Sequence, residues 1–83
     1  NNKLNFLNFK MNFLHSLIML DLSNNQLKHL YNITFIGLEK LERLYLYSNQ
    51  IDSIESDTFQ ILVSLKILNL ANNFLQINEK NKM

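Results

Sequence analysis

The sequence predicts a stack of short parallel β-strands, one per repeat, with a single buried face. Three observations carry that expectation. First, residues 17–27 (LIMLDLSNNQL), 41–51 (LERLYLYSNQI) and 65–75 (LKILNLANNFL) align without gaps, each starting 24 residues after the last. Second, each segment holds two leucines spaced by two: Leu20 and Leu22, Leu44 and Leu46, Leu68 and Leu70. On a strand such pairs share one face, while their neighbours point the other way. Third, a 24-residue return leaves room for the crossover that parallel pairing requires.

The elements follow in chain order. Residues 1–16 read as a partial repeat, in which Asn2, Leu4, Leu7, Met11 and Leu14 fit the back half of the frame if one residue is missing between Leu7 and Met11. Residues 17–40 and 41–64 are full repeats on the frame L-x-x-L-x-L-x-x-N-x-[LI]. They match further downstream, Leu30 with Ile54, Phe35 with Phe59 and Leu38 with Leu62. Phe35 and Phe59 are expected to stack as a core spine. Residues 65–83 form a decaying repeat. Asn78 stands where the others have Leu30 and Ile54, and the stretch Asn78–Met83 lacks the leucines to close it. That stretch is expected to be poorly ordered, and the whole is expected to be one repeat segment spanning 1–83, marginal or self-associating through its open ends. Turns must form without their usual residues, because the chain has one glycine and no proline but 14 asparagines. Asparagine bonds to nearby backbone and tolerates unusual dihedrals. Asn25, Asn49 and Asn73 recur just after each strand. An amide has two donors and an acceptor for a bending backbone, so these three are expected to form a buried structural ladder.

This frame resembles the leucine-rich repeat family over almost the whole chain. The repeat length and the F-x-x-L segment are similar to the "typical" subclass, which is frequent in the ectodomains of extracellular receptors such as the Toll-like receptors. The resemblance implies an α/β solenoid, right-handed, with short parallel β-strands on the concave side and irregular or short helical turns on the convex side. It also implies recognition of a protein ligand, a role in signal transduction or immunity, and an extracellular or cell-surface location. A cytoplasmic location is the alternative.

Composition removes several classes of function. The formal charge is +1 with both signs interspersed, unlike a nucleic-acid footprint, which needs a basic patch. The longest apolar run, Phe13 to Leu20, is broken by His15 and Ser16 and is too short to span a bilayer, so no direct membrane contact is expected. The opening Asn1-Asn2-Lys3 is not followed by the apolar stretch of a signal peptide. The lack of an initial methionine suggests processing or a segment of a longer protein. There is no cysteine for a disulfide or a thiolate ligand. His15 and His29 stand alone without a second ligand at metal spacing, and one glycine excludes a Gly-rich phosphate loop. The acids Asp21, Asp52, Glu55 and Asp57 read as solvated turn positions. No catalytic residue, metal or cofactor is expected.

What varies is the outward strand face. Met19, Asp21 and Ser23 stand there in one repeat, Arg43, Tyr45 and Tyr47 in the next, then Ile67, Asn69 and Ala71. Tyrosine and arginine are enriched at binding hot spots. Arg43, Tyr45 and Tyr47 are therefore the expected centre of a protein-binding site, with Asp21, Met19, Asn69 and Ile67 at its sides. A scaffolding segment with no ligand site of its own is the alternative, since tyrosine is common on strands. Asn32-Ile33-Thr34 is a glycosylation sequon and Asn32 its acceptor. One sequon is uninformative by itself, because about 1.3 are expected by chance from 14 asparagines and 8 Ser/Thr residues.

Overall fold

The structure is a computed structural model that describes residues 15–75. Most of the partial repeat at residues 1–16, and the tail from 76 onward with its expected disorder, lie outside the described residues. Five strands follow the repeat: β1 (Met19–Asp21), β2 (His29–Leu30), β3 (Arg43–Tyr45), β4 (Ser53–Ile54) and β5 (Ile67–Asn69). One sheet has the order β1-β3-β5 and the other the order β2-β4, all parallel. The register sets Leu20, Leu44 and Leu68 side by side. Every pairing joins residues one repeat apart, so the period of the sequence is the register of the sheet.

The strands are short because each is closed by a turn that begins just past its second leucine. Asn24, Ser48 and Asn72 hold φ of 59°, 57° and 57° at equivalent places. A left-handed residue reverses the chain there, and asparagine accepts that conformation better than most residues with a Cβ. The return is built from four-residue turns that repeat in register. Thr34 N–H bonds Tyr31 O at 3.2 Å and Thr58 N–H bonds Glu55 O at 3.2 Å. Leu38 N–H reaches Phe35 O and Leu62 N–H reaches Phe59 O, each at 3.1 Å. No helix forms among the described residues. The β2–β4 pair is a feature the sequence frame did not disclose: it gave Leu30 and Ile54 only as matching apolar positions.

The core lies between the sheet's inner face and these turns. Leu27, Leu30, Phe35, Leu41, Leu44, Leu46 and Ile51 are buried almost completely. The Phe35 and Phe59 rings stack with centroids 6.0 Å apart. Burial of the six strand leucines is uneven, which corrects the expectation that all would be covered. Leu44 and Leu46 are fully buried, Leu20, Leu22 and Leu70 are half-buried, and Leu68 is 38% exposed. The reason is position in the stack. Only the middle repeat has a described neighbour on both sides, and a repeat buries its face against its neighbours.

Candidate functional site: the outward face of the three-stranded sheet

Because side chains alternate across a strand, the buried Leu44 of β3 leaves Arg43 and Tyr45 on the opposite side. Register then assembles rows. Met19, Arg43 and Ile67 form one, and Asp21, Tyr45 and Asn69 form the next. Beyond the strand ends, Asn24 N–H bonds Tyr47 O and Ser48 N–H bonds Ala71 O, both at 3.0 Å, which holds Tyr47 in line with the sheet. Arg43, Met19 and Ile67 are exposed, the last two at 43% and 45%, while Tyr45 and Tyr47 are half-buried. The two tyrosine rings meet edge to face, with centroids 6.4 Å apart and planes at 77°. Such pairs are favourable beyond the area they cover, so the aromatic pair is held in place before any partner arrives.

The flanking polar residues are occupied by their own backbone. Asp21 Oδ1 accepts from Ser23 Oγ at 2.6 Å and from Ser23 N–H at 2.9 Å. The Ser23 hydroxyl, and then its N–H, hold the Asp21 carboxyl below the usual carboxylate range, against a small opposing effect of burial. Asn69 Oδ1 accepts from Ala71 N–H at 3.0 Å in the same way. These are Asx turns, whose sequence signals are the spacings D-x-S and N-x-A. Among the described residues Arg43 has no ion-pair partner, whereas its neighbour Glu42 lies 3.6 Å from Lys66 Nζ.

The sheet's edge is closed by the three asparagines. Asn49 is 6% exposed. Its Nδ2 donates to Leu22 O and Leu46 O, both at 3.0 Å, and to Tyr47 O at 3.4 Å. Its Oδ1 accepts from Leu27 N–H at 3.1 Å. Asn73 repeats the set one turn on, donating to Leu46 O and Leu70 O at 3.0 Å and accepting from Ile51 N–H at 2.9 Å. Asn25 donates to Leu22 O at 3.0 Å and Ser23 O at 3.2 Å. Asn49 and Asn73 each bond both their own repeat and the one before it, so they fix the register of the face above them.

Other polar groups fall elsewhere. On the β2–β4 sheet an open cleft of about 330 Å³ is lined by His29, Leu30, Tyr31, Ser53, Ile54 and Glu55. His29 Nδ1 hydrogen-bonds Ser53 Oγ and lies 3.6 Å from Asp52 Oδ1. A serine-histidine-aspartate relay needs the serine and the acid on opposite ring nitrogens. Here both face the same one. No group of three or more metal-ligating side chains occurs among the described residues, and no helix there is long and apolar enough to cross a membrane. Asn32 is exposed, and its N–H donates to Glu55 Oε1 at 2.7 Å. Thr34 is fully buried and Thr58, its counterpart one repeat on, is 1% exposed. Thr58 Oγ1 donates to Glu55 O. A threonine at this place therefore has a structural reason of its own, apart from any sequon.

A leucine rich repeat family model matches residues 1–51 and again 40–82. The chain is 41% identical over 76 residues to mouse Toll-like receptor 9, a match covering 90% of this chain and 7% of that protein. It is 41% identical over 68 residues to rat leucine-rich repeat-containing G-protein coupled receptor 5, covering 82% of this chain and 7% of that protein. The chain thus spans a small part of the length of either relative. No solved structure gives a significant match.

Proposed function

The chain belongs to the leucine-rich repeat family, and from that premise we propose that the outward face of β1, β3 and β5 binds a protein ligand as part of a receptor ectodomain. Arg43, Tyr45 and Tyr47 are its centre, and Met19, Asp21, Ile67 and Asn69 are its margins. The observation that carries the reading is the edge-to-face tyrosine pair beside an arginine on the central strand that has no ion-pair partner among the described residues. Tyrosine offers contact area at little entropic cost, and a rigid strand lowers the ordering needed on binding. Both relatives are named as receptors, which supports a place outside the cell or at its surface. Asn32, exposed beside β2, is the acceptor for a glycan on that reading. Catalysis forms no part of the proposal.

The alternative is a spacer segment with no ligand site. It has one observation in its favour: the flanks of the face are small or self-satisfied, as at Ser23, Ala71, Asp21 and Asn69. The test is a simultaneous change of Arg43, Tyr45 and Tyr47 to alanine in the full-length protein. Ligand binding should weaken by more than about 2 kcal/mol, with circular dichroism unchanged. Binding that survives intact favours the spacer or moves the site to other repeats.

A further inference from the structure

The nine outward positions of the three repeats carry one cation, Arg43, and one acid, Asp21. Had they paired, the face would be electrically closed. They do not. Asp21 is turned onto Ser23, whose hydroxyl and N–H both bond its Oδ1, and the acid next to Arg43 in sequence, Glu42, lies beside Lys66. Arg43 is left exposed with no counter-ion among the described residues, on the middle strand, in register between Met19 and Ile67. Those two are among the exposed large apolar side chains, at 43% and 45%. The arrangement is a single guanidinium fork with an apolar side chain on either hand and an aromatic pair one row away.

We propose that this face selects a protein segment presenting one carboxylate flanked by apolar side chains, with Arg43 as the anion anchor. The proposal deepens the reading of the sheet face as a protein-binding surface and rests on it. A carboxylate matches the planar fork with two parallel hydrogen bonds, which a lysine cannot reproduce. Covering Met19 and Ile67 removes water from around the pair and strengthens it. A phosphate polymer fits less well. Its binding is built from several cations acting together, and here Asp21, held ionised by Ser23, stands on the same face as the lone arginine.

The test uses the full chain and a short synthetic peptide of alternating leucine and serine with a central glutamate, followed by NMR of the Arg43 Nε–H and the Tyr45 and Tyr47 rings. Parallel peptides carry glutamine, lysine or phosphoserine at the centre, and a short thymidylate oligonucleotide is added as a polyanion. The glutamate peptide should shift all three side chains and bind about tenfold more tightly than the glutamine peptide. Arg43→Gln should abolish that preference, Arg43→Lys should restore only part of it, and the dichroism of both variants should match the unmodified chain. Equal binding of glutamate and glutamine peptides, with the tyrosines still responding, overturns the carboxylate anchor while leaving the sheet-face reading intact. Tighter, Arg43-dependent binding of the oligonucleotide overturns it in favour of phosphate. Silence from every peptide also overturns it, and the sheet-face reading then depends on the triple-alanine experiment alone.

Discussion

Replacing Asn49 with alanine removes the one side chain that ties three backbone segments together at the end of β3. The amide satisfies Leu22 O and Leu46 O at 3.0 Å and Leu27 N–H at 3.1 Å, and it is 6% exposed. Alanine leaves Leu27 N–H without its acceptor, while Leu22 O and Leu46 O each lose one donor and keep the amides of Asn25 and Asn73. An unsatisfied buried group costs about 1–3 kcal/mol. One orphaned donor and two weakened acceptors near a turn give a net loss of about 2 kcal/mol. Asn73→Ala removes an equivalent set of bonds, but Asn73 is only half-buried and water can replace part of what is lost. Its cost should be smaller by about 1 kcal/mol or more. Asn49→Asp should be worse than alanine at neutral pH, because a carboxylate would face the carbonyls of Leu22 and Leu46 with no hydrogen to offer. Urea unfolding followed by circular dichroism gives all three values. A change below about 0.5 kcal/mol for Asn49→Ala, or equal losses at 49 and 73, would refute the reasoning.

Two further perturbations act on the same turns. Ser48 holds a left-handed φ of 57° where the neighbouring repeats have asparagine, so Ser48→Asn should raise stability by about 0.5–1 kcal/mol, seen as a higher urea midpoint at unchanged slope. Asp21 has a carboxyl pKa below its ordinary 3.8, set by Ser23. A pKa depressed on folding adds stability that is full above the unfolded value and disappears as pH falls through the folded one. Unfolding midpoints should therefore drop below about pH 4, and Asp21→Asn should flatten that part of the profile while keeping the acceptor for Ser23 N–H, as Asn69 does for Ala71. An unchanged acid limb in the variant would count against the Ser23 contact.

The parts of the fold legible in the sequence are those fixed by period. Leu20, Leu44 and Leu68 align in the sequence and in the sheet, and Phe35 stacks on Phe59. The illegible parts depend on neighbours. Leu68 and Leu44 occupy the same frame position, yet one is exposed and the other buried, because burial depends on what stacks on each side. The β2–β4 ladder rests on backbone bonds such as Asp52 N–H to Lys28 O at 3.0 Å, which no residue pattern announces. The recurrence of Thr34 as Thr58 marks a core position as clearly as the leucines do. On the outward face the sequence gives identities and rows, but folding does not constrain those side chains. The pairing of Asp21 with Ser23 rather than Arg43, on which the chemistry of the face turns, has only the D-x-S spacing as its sequence signal and is fixed by the atomic contacts.

Central to recognition by this sheet is that β3 has one face for folding and one for contact. The chain has no cysteine, so single variants Arg43→Cys, Leu44→Cys, Tyr45→Cys and Leu46→Cys each carry the only thiol. Labelling under native conditions should be fast at 43 and 45 and about a hundredfold slower at 44 and 46, where reaction must wait for opening of the core. Similar rates at all four positions, or fast labelling at 44 and 46 with 43 and 45 protected, would contradict it.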